Sequence, residues 1–468
     1  MTKQMRSLPL LCAALFMVLV FISCDGDNPS SPEIHDTWTW ISGSDIADQN
    51  GTCDLIGKFI PANQPGARYG SVSWTDKDGN LWLFGGYGFD QYGKKCDLNC
   101  MWKYDTKSGM WAWMSGSPCE GGYISYGEIG EPYGKNMPGA RDGSVSWTDK
   151  DGNLWLFGGW GFDSTETEGC LNDLWKYDTV TGMWTWISGS DIVSQNGNYG
   201  TKCIPAYSNV PGARYGSVSW TDKDGNLWLF GGLGYASEGT GYLNDLWKYH
   251  IGTGIWTWVS GSDTCIHCAV YGTMGEAHPD NVPDSNSSSI SWTDKDGNLW
   301  LFGGSWRDAY DNRYRNNTLW KYDIGAGMWT WVSGSENLNT TGVYGEKGVA
   351  DSSNLPGARE RSVSWTDSEG NLWLFGGYGY ASEGYGHLND LWKYDTTSDM
   401  WTWISGSDTI RQNGTYGTIG TSGPANVPGA RECSVSWTDS EGNLWLFGGY
   451  GYASEGSGYL NDLWKYNM

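Results

Sequence analysis

The string NLWLFGG occurs six times in this chain, beginning at Asn80, Asn153, Asn226, Asn298, Asn371 and Asn443. Its first glycines fall at Gly85, Gly158, Gly231, Gly303, Gly376 and Gly448, so successive copies lie 73, 73, 72, 73 and 72 residues apart. A fixed period of this kind requires a stack of equivalent supersecondary units, because one unit cannot bury its apolar face alone. The repeats constrain the architecture strongly and leave the chemistry open.

One copy shows what the unit is. In the second, residues 143–149 (GSVSWTD) read as a strand, and Asp151-Gly152 marks a turn. Residues 154–159 (LWLFGG) form an apolar run expected of a strand buried on both faces. A polar stretch leads to a third strand at residues 171–178 (LNDLWKYD). TVTG then turns the chain into a fourth at residues 183–189, with Trp184 and Trp186 on one face. Four antiparallel strands with glycine-rich turns make one propeller blade. The 32 Trp recur mostly at fixed places in the repeat, as expected of packing between blades.

These residues resemble the kelch repeat. The marks are the double glycine after the second strand and a Tyr and a Trp with six residues between them. Tyr104/Trp111, Tyr177/Trp184, Tyr249/Trp256, Tyr322/Trp329 and Tyr394/Trp401 keep that spacing, and Arg68, Arg141 and Arg214 open an Arg-x-Gly at the first strand. The resemblance implies an all-β, six-bladed kelch β-propeller, similar in architecture to the galactose oxidase propeller and to kelch-type sugar mutarotases. A kelch unit runs about 50 residues; the surplus here lies in loops, mostly between fourth and first strands. The sixth copy ends after Tyr466 without its Trp strand, and residues 37–44 (TWTWISGS) match the missing piece. The N-terminal strand is therefore expected to complete the last blade and remove the open edge. The propeller would span residues 37–468.

Residues 1–23 have the form of a signal peptide, with Lys3 and Arg6 before an apolar run over residues 8–22. Phe21-Ile22-Ser23-Cys24 resembles a bacterial lipobox, with Phe where Leu is usual. That implies an exported protein lipidated at Cys24, anchored in the cell envelope through a flexible tether over residues 24–36; an ordinary cleaved signal peptide is the alternative. The net charge of −24 argues against nucleic acid and against electrostatic docking on anionic lipid. A monomer is expected, touching membrane only through its anchor. Cys53, Cys96, Cys100, Cys119, Cys170, Cys203, Cys265 and Cys268 are disulfide candidates, and Cys433 makes the count odd. Cys265-Ile-His-Cys268 has the spacing of half a zinc knuckle, but nothing completes it. DKDGN opens like a calcium loop but lacks the later ligands. No metal or cofactor is expected, and the Tyr-His constellation of galactose oxidase is not found.

Alternate connections in a four-stranded meander leave on the same side. The first-to-second and third-to-fourth links are short and repeat almost unchanged. The second-to-third and fourth-to-first links are long and variable, so the long-loop face is the candidate binding face. Two rings should surround the axis there. One is the arginine of PGAR: Arg68, Arg141, Arg214, Arg359 and Arg431, with Asn286 in the fourth copy. These could clamp carboxylates or sulfates, or pair structurally with acids and carbonyls of the fold. Two places on, Gly70, Gly143 and Gly216 give way to Ser288, Arg361 and Cys433. The other ring follows the double glycine and includes Tyr87, Trp160, Tyr378 and Tyr450, flat platforms suited to sugar rings. The loop of the fourth copy carries Trp306, Arg307, Arg313 and Arg315, a basic cluster in an acidic chain.

The expectation is a module that binds a glycan or a protein through this face without chemistry. The runner-up is a carbohydrate-active enzyme with its site in the channel, which should place a repeat-specific carboxylate or His near the axis. Asp142, Glu360 and Glu432 are the hints.

Overall fold

The computed structural model describes residues 36–117, 124–308, 310 and 312–468. The leader, Cys24 and Cys119 lie outside them. No helix occurs among the described residues. The chain is a β-propeller: among the described residues each of the six sequence repeats builds an antiparallel sheet of four main strands, numbered here by repeat, and a short fifth strand joins most of these sheets. Sheet two shows the pattern: Val145–Thr148 innermost, then Leu154–Phe162, Glu168–Asp178 and Met183–Ser188 outermost.

The ring closes as the sequence requires. Thr37–Ser42 pairs antiparallel with Ser457–Asn467, Trp38 opposite Tyr466, and is the outer strand of sheet six. The inner strands staple each sheet to the next around a full cycle. Ser146 Oγ donates to the Ser73 carbonyl and Ser219 Oγ to the Ser146 carbonyl, both at 3.1 Å. The cycle continues until Ser73 Oγ donates to the Ser436 carbonyl at 3.0 Å. A second cycle runs the other way: Trp74 Nε1 donates to the Trp155 carbonyl at 3.0 Å, and Trp437 Nε1 closes it on the Trp82 carbonyl at 2.9 Å.

The core lies between adjacent sheets. Leu81 and Leu83 of sheet one pack with Trp437, Trp445 and Phe447 of sheet six, and the other five junctions repeat the arrangement. The inner-strand Trp74, Trp147, Trp220, Trp292, Trp365 and Trp437 each satisfy the indole N–H on a carbonyl of the next sheet while burying the ring. The TDKDGN motif is a turn: Asp149 accepts from Asn153 N and from Trp155 Nε1, at 2.9 and 2.8 Å. The fourth-to-first loops fold across the outer strands, with Gly130 N donating to the Trp186 carbonyl at 2.8 Å, so the exposed edges are covered.

Candidate site at the axis of the long-loop face

Just before each inner strand, one residue per sheet meets its neighbours around the axis. Gly143 N donates to the Gly70 carbonyl, Gly216 N to Gly143, Ser288 N to Gly216, Arg361 N to Ser288, Cys433 N to Arg361, and Gly70 N to Cys433, all between 2.7 and 3.0 Å. All six residues have positive φ, from 52° at Cys433 to 68° at Gly70. Glycine adopts that backbone freely; Ser288, Arg361 and Cys433 do so at a cost of roughly 1–2 kcal/mol each. On the short-turn side of the axis, a cavity of 560 Å³ is lined by the Ser-Trp-Thr triplets of all six inner strands.

On the long-loop side, three positions in each sheet stand in cross-strand register: the residue after the PGAR arginine, the residue after the double glycine, and the residue before Leu-Asn. The rows are Tyr69–Tyr87–Asp97, Asp142–Trp160–Cys170 and Tyr215–Leu233–Tyr242 in the first three sheets. They are Ser287–Ser305–Arg315, Glu360–Tyr378–His387 and Glu432–Tyr450–Tyr459 in the rest. Directly opposed residues project from the same side of a sheet. The scaffold thus holds eighteen side chains over the axis while changing little else.

Their charges separate. Around sheets four to six, Glu360 is 1% exposed and takes Arg313, Arg315 and the Ser305 hydroxyl; Arg315 Nη2 lies 2.6 Å from Oε1. Arg361 Nη1 reaches Glu432 Oε2 at 3.3 Å, and His387 Nε2 stands 3.5 Å from Glu432 Oε1. Burial pushes the Glu432 carboxyl up, but His387 and the Arg361 charge outweigh it and hold it below its usual range. Around sheets one and two the acids face each other. Burial, then Asp97 and Glu168, push Asp142 up to about 7 against the opposing pull of Arg361. Burial and Glu168 push Asp97 up to about 6. Aromatic rings wall the gap: Tyr69 stacks on Tyr459 at 5.6 Å, and Trp160, 38% exposed, donates to Glu168 at 2.7 Å.

The PGAR arginines are buried and engaged within the fold. Arg141, Arg214, Arg359 and Arg431 are each 1% exposed, and each makes a two-point pair with Asp173, Asp245, Asp390 or Asp462 at 2.7–2.8 Å. Arg68 is 3% exposed and donates to the Gly66 and Gly85 carbonyls and to Cys100 Sγ. Burial and these bonds leave the guanidiniums nothing to offer at the channel. The basic loop is also engaged. Arg313 and Arg315 share Glu360, Arg307 hydrogen-bonds Tyr242, and Trp306 packs on Tyr314 at 4.9 Å. It forms one wall of the site, with two of its three guanidiniums held on a single carboxylate.

Tyr87, Trp160, Tyr378 and Tyr450 do stand in the array, and so does Arg361. Missed from sequence were Asp97, Tyr242, His387 and Tyr459. Their signal was available: the residue before Leu-Asn or its equivalent takes five identities in six copies, Asp97, Cys170, Tyr242, Arg315, His387 and Tyr459, inside an otherwise repetitive strand. Of the cysteines, Cys96 and Cys100 pack in the aromatic cluster between sheets six and one, and Cys170 stands in the array. Cys96, Cys100, Cys170, Cys203, Cys265 and Cys268 are thiols in this structure, and Cys53 donates to Gln91 Oε1 at 3.1 Å. Among the described residues, no group of His, Cys, Asp and Glu is arranged to hold a metal ion.

No family model matches the chain. The human protein named multiple epidermal growth factor-like domains protein 8 is 25% identical over 320 residues. The match takes in 67% of this chain and 9% of that protein, so the chain spans under a tenth of the relative's length. Among solved structures, that of YjhT covers 86% of this chain and 95% of its own, with a TM-score of 0.50 and 15% identity. The likeness is one of fold.

Proposed function

We propose that the chain is a kelch-type ligand-binding propeller that takes a saccharide at the axis of its long-loop face. The observation that carries this reading is Arg361. Three copies keep glycine where the backbone turns left-handed, yet the fifth holds an arginine there, paired with Glu432 and facing Asp142. Backbone strain retained at one position of a repeat, beside the most divergent side chains, is characteristic of a site. Carboxylates to accept from hydroxyls, guanidinium to donate, and tyrosine rings for the apolar faces suit a polyhydroxylated ring.

An anionic glycan or an acidic protein patch fits less well. Arg313 and Arg315 are committed to Glu360, and Asp97, Asp142 and Glu168 would repel further negative charge. A glycan array with the purified chain tests the reading, with an Arg361→Gly variant as control. Saccharide binding that is lost in the variant is expected. An array on which the chain binds no saccharide, or binds identically without Arg361, would refute it.

A further inference from the structure

We propose that the cavity on the short-turn side of the axis is a second binding site, which takes a neutral cyclitol, a six-membered carbon ring with a hydroxyl on every carbon, among the threonine hydroxyls of the six inner strands. It is built from residues other than those of the long-loop face and does not rest on the saccharide reading.

The cavity measures 560 Å³, inside the range of roughly 300–1,000 Å³ that small-molecule pockets occupy. Its wall is one Ser-Trp-Thr triplet from each sheet, so it offers twelve hydroxyls and no charged side chain. Asp76, next after the triplet of sheet one, is held by Asn80 N, Trp82 Nε1 and Lys103 Nζ at 2.9, 2.8 and 2.9 Å, and does not line the cavity. An anion would find no cation in this wall, and a cation no carboxylate. An apolar molecule would strip water from the hydroxyls and return nothing. A neutral molecule that both donates and accepts matches them.

The threonines point to a ligand more directly than the serines do. Each Ser Oγ is spent on the carbonyl of a neighbouring triplet, which accounts for serine there. The Thr75 and Thr366 hydroxyls donate to the Thr438 and Thr293 carbonyls at 3.2 and 3.4 Å. Those of Thr148, Thr221, Thr293 and Thr438 have no partner among the described residues, yet all six copies keep threonine. Valine has nearly the same shape and is as much at home in a strand, so packing does not call for the hydroxyl. The wall also repeats six times about one axis. A ring with six equivalent hydroxyl positions meets the same groups in every rotated setting, whereas a pyranose, with its ring oxygen and exocyclic carbon, does not.

The test titrates the purified chain with myo-inositol and scyllo-inositol, reading binding by saturation-transfer NMR. Both should bind, glucose should bind this cavity more weakly, and inositol monophosphate should not bind it. Replacing Thr148, Thr293 and Thr438 with Val takes the hydroxyl from alternate sheets, so no rotated setting escapes, and should weaken inositol about tenfold or more. Ser at the same three positions should retain binding, and Arg361→Gly should leave it unchanged. Thr221→Phe fills the cavity from one sheet and should abolish binding, which covers the case of a valine variant that folds poorly. Failure of the parent to bind either inositol overturns the proposal, as does binding that survives both the valine and the phenylalanine variants. Inositol binding lost in Arg361→Gly and kept in the threonine variants would place the ligand on the long-loop face instead. Glucose or inositol monophosphate bound in the cavity as tightly as inositol would refute the cyclitol assignment. None of these results bears on saccharide binding at the long-loop face, which the glycan array reads separately.

Discussion

Arg141 and Asp173 are joined at two points, Nη1 to Oδ1 and Nη2 to Oδ2, both at 2.7 Å, with neither side chain more than 1% exposed. The Tyr126 hydroxyl and Trp175 Nε1 donate to the same carboxylate at 2.8 and 2.7 Å. The unit recurs in sheets three, five and six around Asp245, Asp390 and Asp462. Sheet four drops both charges together, with Asn286 and Thr318 in place of the pair, and both are buried. A buried charge left alone is costly, so the two disappear as one.

Arg141→Ala should therefore leave Asp173 as an uncompensated buried anion and cost about 3–5 kcal/mol in urea unfolding. Arg141→Met with Asp173→Leu should cost much less than the single change. A single-variant loss under about 1 kcal/mol would show that the pair is not a strut.

Sheet one breaks the rule. Arg68 keeps its cation, while Cys100 stands where four sheets have aspartate and Cys53 where the other five have tyrosine. Cys100→Asp should restore the two-point pair and raise the melting temperature at neutral pH. A lower melting temperature would mean that the cavity around Cys100 has no room for the carboxylate.

The fold was legible because packing repeats. Trp74, Trp147 and Trp220 each do the same work in a new sheet, so one copy explains all, and the orphan strand at residues 37–44 identified its partner by identity alone. The site was half legible. The double-glycine ring drew attention to Tyr87, Trp160, Tyr378 and Tyr450, and the chain places them at the axis. Of the two readings open for the PGAR arginines, structural pairing is the one the geometry fits, and four sheets repeat the same strut. His387 and Tyr459 vary where the repeat is otherwise constant, but their place beside the aromatic ring comes from the cross-strand register: they sit opposite Tyr378 and Tyr450 across the sheet.

Ring closure is tested by removing Thr37–Ser42. The deletion strips sheet six of its outer strand and uncovers the Tyr466 and Trp464 rings that Trp38 packs against, at 5.1 and 6.5 Å. The truncated chain should melt many degrees lower or aggregate on purification. An unchanged melting temperature would show that β-pairing of the two ends adds nothing.

Asp142 links the site to pH. Its folded-state value of about 7 lies above the ordinary carboxyl value of 3.8, so the folded chain holds this proton more tightly than the unfolded one. Stability is then lost as pH rises between those two values, and the full cost is present above about 7. Asp142→Asn removes the charge, so it should raise the melting temperature by a few degrees at pH 8 and change it little at pH 4. A stabilisation of equal size at both pH values would show that charge burial is not the cause.

The strained backbone at Arg361 separates function from stability. With φ at 58°, any side chain there costs roughly 1–2 kcal/mol relative to glycine, and the ion pair with Glu432 offsets part of this. Arg361→Gly relieves the strain and forfeits the pair, so its melting temperature should stay close to that of the parent. Arg361→Ala keeps the strain and also loses the pair, so it should be the less stable of the two by about 1 kcal/mol. Both remove the guanidinium from the axis and should abolish saccharide binding equally. If Gly proves as destabilising as Ala, the left-handed backbone is not strained. If either variant binds as the parent does, the arginine at the centre of the ring is not there for the ligand.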